Sequence, residues 1–402
     1  AILIGFGLAF VASLFHIGRL ICSNRSSSFL VSFCLFIATP IPFYVLSGSA
    51  SIGLGAIFLL FLLLLAGVPV VFSLMTAASV GIAVMKGDFL VAANSLGLVV
   101  NSAATSYVLA AVPFFILMGL VVGKANIGRD SLTVAHWLFR SVKGGFGVAT
   151  VAANTVFAAI TGISIASAAI FSRVAAPPMI ELGFTARFSL GLIAGSSVLG
   201  MLIPPSLLLI IYGVIAEVSI NKLFLAAIVP GIILALMLCA TVIICVLFRL
   251  PFAVTSEYSD VPPKPEKINT ILLMMAPTLT LLFVVIGGIY GGIFTPTEAG
   301  AVGALMAIFI ALAMKRVTFI QTYNLIKDAA GKTASILLMV IAATSFGLMI
   351  TLSGLPDIMS SIASGSGLGL TGYVFIYLVA LVLLGMVLDS TSILLIMVPL
   401  AM

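Results

Sequence analysis

Charge is scarce in this sequence. Asp, Glu, Lys and Arg together make up 7% of its 402 residues, against roughly one-quarter in a soluble domain, and this excludes an ordinary water-soluble fold. Histidine occurs only at His16 and His136. With no His-Glu-x-x-His run and no acidic partner for Asp389 within its segment, the side chains that intramembrane hydrolases use are missing. Four cysteines, Cys22, Cys34, Cys239 and Cys245, stand in apolar context, without the spacing of a zinc or disulfide framework. The period-2 alternation of a membrane β-barrel is absent as well. Nor does the net charge of +6 point to nucleic acid, because the 17 Lys and Arg sit in short connections where the positive-inside bias puts them.

What remains is apolar. Hydrophobic residues are 63% of the chain and fall into runs of about 20, the length that crosses a roughly 30 Å hydrocarbon core as a helix. The sequence therefore predicts an all-α polytopic membrane protein. Residues 1–18 and 28–47 read as an extra N-terminal helix pair joined by a loop carrying Arg19 and Arg25. Further spans are expected over 51–67, 70–85, 102–123, 223–248, 268–290, 297–314 and 333–352, with a broken one over 188–216. Between them, 124–143 and 318–331 read as surface segments, the first with Trp137 as an interfacial anchor. The only long polar linker, 255–267, is rich in proline and mixed in charge.

Two apolar segments are interrupted by small polar knots. One is FAAITGISIASAAIFS at 157–172, inside the segment 144–180; the other is LGMVLDSTSILL at 384–395, inside 371–402. Backbone that leaves the helix in lipid must find partners, so such breaks survive only where protein or a water-filled cavity surrounds them. Arg140 and Lys143 precede the first segment and Arg173, Glu181 and Arg187 follow its apolar part, which describes a hairpin entering from the cytoplasm and returning there. A third break, Gly200–Ser206, contains Pro204 and Pro205; prolines remove backbone donors and free carbonyls.

The two halves of the chain repeat one order of elements. Pro69 falls near Pro296, Met85-Lys86 near Met314-Lys315, and the Thr161–Ser167 knot near Leu388–Ser392. Basic loops at 19–25, 124–143, 173–187, 249–267 and 315–332 alternate with loops poor in Lys and Arg at 86–88, 217–222, 287–296 and 353–370. The second hairpin is thereby expected to enter from the face opposite the first. This describes inverted-topology repeats, 51–254 and 268–402, with two re-entrant helical hairpins and a site at their interface. The second repeat stops before any counterpart of Gly200–Ser206, so the native chain is expected to continue beyond Met402 by at least one broken helix.

A hairpin tip offers helix N-termini to an anion and helix C-termini to a cation. An anionic substrate is therefore expected at Thr161, Ser164, Ser390 and Thr391. A hard cation such as Na⁺ takes carbonyls, hydroxyls and a carboxylate. The first tip supplies Thr161, Ser164 and Ser167, and the proline break supplies carbonyls around Gly200, Leu202 and Pro205. The second tip supplies Asp389, Ser390, Thr391 and Ser392, with Thr344 and Ser345 on a neighbouring span. An intramembrane carboxylate costs on the order of 2.5–3.5 kcal/mol, so Asp389 weighs most. Glu298, at a helix start after Pro296, reads as a cap.

Several long motifs carry a resemblance. GGIFTPTEAGAVGA (291–304), PFFILMG (113–119), GMLIPPSLLLIIYG (200–213) and FAAITGISIASAA (157–169) resemble the large membrane (permease) subunit of the tripartite ATP-independent periplasmic (TRAP) transporters, over roughly 51–402. That resemblance implies a Na⁺-coupled symporter of organic acids in the bacterial inner membrane, working as an elevator-type secondary transporter. It implies two partners, a periplasmic substrate-binding protein and a small four-helix membrane subunit, of which residues 1–50 could be a fused end. No cofactor is implied beyond Na⁺ as coupling ion. The first cation site would be Thr161, Gly162, Ser164, Ser167, Gly200, Leu202 and Pro205, and the second Asp389, Ser390, Thr391 and Ser392 with Ser345. Thr161-Gly162-Ile163-Ser164 stands where the family more usually has Ser-Gly-Ser-Ser. The alternative is a stand-alone Na⁺/dicarboxylate symporter of a related elevator family, which needs no binding protein.

Overall fold

The computed structural model describes residues 49–259, 268–358, 369–385 and 388–401. The expected helix pair at 1–18 and 28–47, with His16, Cys22 and Cys34, lies outside the described residues. So do most of the linker 255–267, residues 359–368 of the loop 353–370, and Met386 and Val387 in the second broken segment. Among the described residues every regular element is helical, and the single β pairing is an isolated bridge from Phe184 to Val254.

The first helices are α1 (Ser49–Leu65), α2 (Val70–Lys86) and α3 (Phe89–Ala104), followed by a 3₁₀ turn at Val108–Ala110 and then α4 (Ala111–Lys124). The single span expected at 102–123 is thus two elements. Asp88 caps α3 by accepting from the Leu90 N–H at 2.7 Å, and Thr105 closes it by donating to the Asn101 carbonyl. Pro113 has no N–H to give. The helix restarts just ahead of it, which places the proline in a first turn where the N–H has no intrahelical partner anyway.

Next come α5 (Ile127–Leu138), α6 (Gly145–Thr161), α7 (Ser164–Val174), α8 (Ala176–Glu181), α9 (Ala186–Ser197), α10 (Leu199–Leu202), α11 (Leu207–Ile215) and α12 (Ile220–Leu247). Beyond the linker run α13 (Ile268–Leu282), a π-helical stretch at Phe283–Gly287, α14 (Gly288–Tyr290), α15 (Pro296–Ala313), α16 (Phe319–Ser353), α17 (Gly369–Gly385) and α18 (Ser390–Ala401).

A second correction concerns α16. The surface segment 318–331 and the span 333–352 are one helix of 35 residues, about 52 Å long at 1.5 Å per residue. Thr318 and Gln321 cap its start reciprocally. The seam is bridged by Thr333, whose hydroxyl donates to the Ala329 carbonyl at 2.7 Å.

Among the described residues, four helical stretches are long and apolar enough to cross a membrane: Ile220–Leu247, Ile268–Tyr290, Pro296–Ala313 and Phe319–Ser353. Ala186–Leu202 with Leu207–Ile215 forms a broken pair bent by 44°.

The described chain falls into two compact units, one made of residues up to Ser106 and from Ser335 onward, the other of Tyr107–Ala334. In the first, α2 lies close on α16: a Cβ added to Gly81 would sit 2.8 Å from Met349 Cγ. In the second, α4 packs along α15, where a Cβ at Gly303 would fall 2.7 Å from Met118 Sδ. Small residues at helix contacts let backbones approach where lipid gives no hydrophobic drive to association.

The second unit also has a polar clasp. Arg316, just after α15, pairs with Asp130 on α5 and donates to the Ala125 carbonyl at 3.0 Å. Ser131 and Thr278 share a hydrogen bond at 3.2 Å, so α5 is tied to two neighbours. The strip after α12 is tied down in turn: the Thr185 N–H donates to the Ala253 carbonyl at 2.9 Å and the Thr185 hydroxyl to that of Phe252 at 2.6 Å.

Candidate functional site

The first tip is made by one glycine. α6 ends at Thr161 because Gly162 takes φ +63°, the left-handed conformation of a helix C-terminus, and its N–H closes on the Ala158 carbonyl at 2.8 Å. Ile163 is extended, and α7 starts at Ser164 with no side-chain cap. The arms fold back on each other. Phe157 and Phe171 meet with ring centroids 5.7 Å apart and planes tilted by 59°, and the Ser167 hydroxyl donates to Asn154 Oδ1 across the hairpin. Thr161, Ser164 and Ser167 are all buried.

The proline break faces this tip. α10 stops at Leu202, the Ile203 N–H closing on the Leu199 carbonyl at 2.7 Å. The Pro204–Pro205 bond is cis, and the Ser206 hydroxyl turns back to the Met201 carbonyl at 2.6 Å. Helix α11 resumes at Leu207 without a side-chain cap. Pro204, Pro205 and Ser206 are buried, and among the described residues no hydrogen bond reaches the carbonyls of Ile203, Pro204 or Pro205.

Tip and break are held in register by three rungs. Asn154, Ala158 and Gly162 recur every four residues on α6 and so share one face. Asn154 Nδ2 donates to Ser196 Oγ at 2.7 Å. A Cβ on Gly200 would lie 2.9 Å from Ala158 Cβ, and one on Gly162 would lie 2.9 Å from the Pro205 oxygen and 3.2 Å from the Leu207 nitrogen. On the other side, a Cβ on Gly119 of α4 would sit 3.0 Å from the Thr161 carbonyl oxygen. The structure therefore gathers Thr161, Gly162, Ser164, Gly200 and Pro205. Leu202 closes α10, half-buried beside them in sequence. Ser167 commits its hydroxyl proton to Asn154, which leaves its lone pairs for other partners.

At the second tip, Asp389 stands immediately before α18 and its carboxylate accepts from the N–H groups of Thr391 (3.1 Å) and Ser392 (3.3 Å) and from the Ser392 hydroxyl. This is N-capping geometry. Asp389 and Ser390 are exposed, Thr391 half-buried and Ser392 buried. The arms are joined by Tyr377, whose hydroxyl donates to the Met397 carbonyl at 3.2 Å. Thr344 and Ser345 bond back to their own helix, Ser345 to the Ile341 carbonyl at 2.7 Å. No hydrogen bond joins Ser345 to residues 389–392 among the described residues. The contact between α16 and α18 falls further along, where a Cβ on Gly347 would meet Pro399 at 3.3 Å.

Among the described residues no group of three or more His, Cys, Asp or Glu side chains gathers to hold a transition metal. Carbonyl and hydroxyl oxygens suit a hard alkali or alkaline-earth cation instead. Glu298 completes a capping box with Thr295, accepting from its N–H at 2.8 Å while the Thr295 hydroxyl receives the Glu298 N–H. Two polar features were not anticipated from the sequence: Asn154, whose only signal is an amide inside an apolar helix, and the Asp130–Arg316 pair, separated by 186 positions.

The family model for the tripartite ATP-independent periplasmic transporter, DctM component, matches residues 57–402. This chain belongs to that family. The TRAP permease is similar to the C4-dicarboxylate TRAP transporter large permease of Pseudomonas aeruginosa, 32% identical over 76% of this chain and 70% of the relative. It is 31% identical to the ectoine TRAP transporter large permease of Halomonas elongata, over 84% and 78% of the two chains. The isethionate TRAP transporter permease protein DctMQ of Oleidesulfovibrio alaskensis is 29% identical over 84% of this chain and 52% of that longer protein. Family membership places the TRAP permease in the inner membrane as a component of a tripartite transporter, and its relatives are permeases rather than enzymes.

Proposed function

We propose that this TRAP permease takes up an organic acid across the inner membrane by Na⁺-coupled secondary transport of the elevator type. Substrate is handed over by a periplasmic binding protein, and a small four-helix membrane subunit completes the complex. The halves 51–254 and 268–402 are read as inverted repeats, with the hairpins 144–180 and 371–402 re-entrant from opposite faces. The observation that carries the reading is the seating of Gly162 on Pro205. It brings buried carbonyls that no N–H satisfies to a break flanked by two uncapped helix starts, at Ser164 and Leu207.

An unsatisfied buried polar group costs about 1–3 kcal/mol, and a dehydrated Na⁺ coordinated by such oxygens offsets that cost. Thr161, Gly162, Ser164, Ser167, Gly200, Leu202 and Pro205 form the first cation site in this reading. The second draws on Asp389, Ser390, Thr391, Ser392 and Ser345, where the carboxylate supplies the formal charge. The hydroxyls of Thr161 and Ser164 at the first tip, and separately those of Ser390 and Thr391 at the second, are the groups read as binding a substrate carboxylate, each with a helix N-terminus behind it.

The test is uptake of a panel of labelled organic acids, a C4-dicarboxylate among them, by liposomes holding the full-length permease and its small subunit. Uptake is expected to require both an inward Na⁺ gradient and the binding protein. Uptake that ignores the binding protein would assign a stand-alone symporter, and uptake indifferent to Na⁺ would remove the coupling.

A further inference from the structure

The middle of the first hairpin holds a fully directional hydrogen-bond chain. Ser167 on α7 donates its hydroxyl proton to Asn154 Oδ1 on α6. Asn154 Nδ2 donates to Ser196 Oγ (2.7 Å) and to the Ile193 carbonyl (3.3 Å) on α9. Ser196 passes its own proton to the same Ile193 carbonyl at 3.2 Å. Asn154, Ser167 and Ser196 are all 0% exposed, so no solvent competes with these bonds. Both amide protons of Asn154 are used, and the chain ends on a backbone acceptor.

Two consequences follow for the tip. Of the three rungs that hold α6 against α9, α10 and the proline break, the one at Asn154 alone is polar and directional; the others are close contacts of small residues, which tolerate sliding. A single buried amide of this kind fixes register. A hydroxyl whose proton is committed can offer only lone pairs to anything else. Ser167 is thereby made an acceptor, a suitable ligand for a cation and an unsuitable one for a carboxylate. Without the amide, its hydroxyl would be free to bond back along α7, as serines in membrane helices commonly do.

We propose that Asn154 is a positioning residue for the first cation site: it pins both arms of the hairpin to α9, keeps Gly162 seated on Pro205, and orients Ser167 so that its lone pairs are presented to Na⁺. The proposal rests on the cation-site reading above.

The experiment measures ²²Na⁺ binding to the purified full-length permease, with Na⁺-dependent uptake in liposomes as a second readout. Asn154→Leu is expected to weaken half-saturation by Na⁺ about tenfold or more, the usual effect of removing a group that orients a ligand, while uptake at saturating Na⁺ is largely kept. Ser167→Ala should also weaken half-saturation by Na⁺, and the double variant should bind Na⁺ no worse than the more severe single one, because both remove one interaction. An unchanged Na⁺ dependence in folded Asn154→Leu, or additive effects in the double variant, would overturn the proposal. Should Asn154→Leu fail to fold, Ser196→Ala carries the same test with a shift of about threefold, the size of one hydrogen bond in a membrane protein, and no shift there would also overturn it. Wild-type protein that binds no Na⁺ would instead overturn the cation-site reading, a different failure from an unshifted variant.

Discussion

Gly162 and Gly87 hold nearly the same backbone, φ +63° and +67°, but only Gly162 is crowded. A Cβ there meets the Pro205 carbonyl at 2.9 Å, whereas nothing lies within 4 Å at Gly87. Both alanine substitutions are expected to cost about 1–2 kcal/mol for the left-handed backbone. Gly162→Ala should cost a further 1–3 kcal/mol or so from overpacking and should lower Na⁺-driven uptake, which Gly87→Ala leaves intact. Equal shifts in thermal melting would deny that the tip is seated on the break. Asp389 poses a different question, since its carboxylate caps α18. Asparagine caps a helix about as well as aspartate, so Asp389→Asn should leave melting within about 0.5 kcal/mol of wild type. Na⁺-driven uptake should nevertheless fall sharply, because the formal charge is gone. Normal uptake by Asp389→Asn would reduce the residue to a cap.

Helix ends were readable in the sequence where a residue forces them and not where it merely permits them. Gly162 and the pair Pro204-Pro205 dictate their breaks, and the structure has them there. The span expected at 102–123 ran through Pro113, although the rule that proline belongs in a first turn accounts for the restart at Ala111. The join at 331–333 was misread because charge changes there while helix propensity does not: Lys327, Asp328 and Lys332 mark a change of surroundings along one continuous α16. Pairings across long separations leave no local trace, which is why Asp130–Arg316 escaped notice. Their side chains are 12% and 28% exposed, so the pair is only partly screened. Asp130→Ala or Arg316→Ala is expected to destabilise by about 1–3 kcal/mol in thermal melting, and the double variant by less than the sum. Small additive losses would mean that the clasp behaves as a surface pair. One guanidinium nitrogen, Nη1, serves both Asp130 and the Ala125 carbonyl; Arg316→Lys should rescue only in part, because its ammonium sits on a shorter, more flexible stem.

For the whole molecule, composition alone was enough for an all-helical membrane protein, and the order of its motifs for the TRAP permease family. The candidate site was legible in outline, through glycine, proline and hydroxyl residues gathered at breaks in apolar segments. It was not legible in how each hydroxyl spends its proton: Ser167 to Asn154, Thr344 and Ser345 to their own helix. Hydrogen-bond direction is set by packing between helices, which local sequence does not record.

The central claim is that the first hairpin returns to the face from which it came, and cysteine labelling tests this most directly. With the four native cysteines replaced by alanine, Lys143→Cys and Glu181→Cys place single thiols at the two exposed ends of the α6 to α8 segment. A membrane-impermeant thiol reagent applied to oriented vesicles is expected to reach both from the cytoplasmic side only. If the two positions label from opposite sides, the segment crosses the membrane, and the hairpin account is wrong.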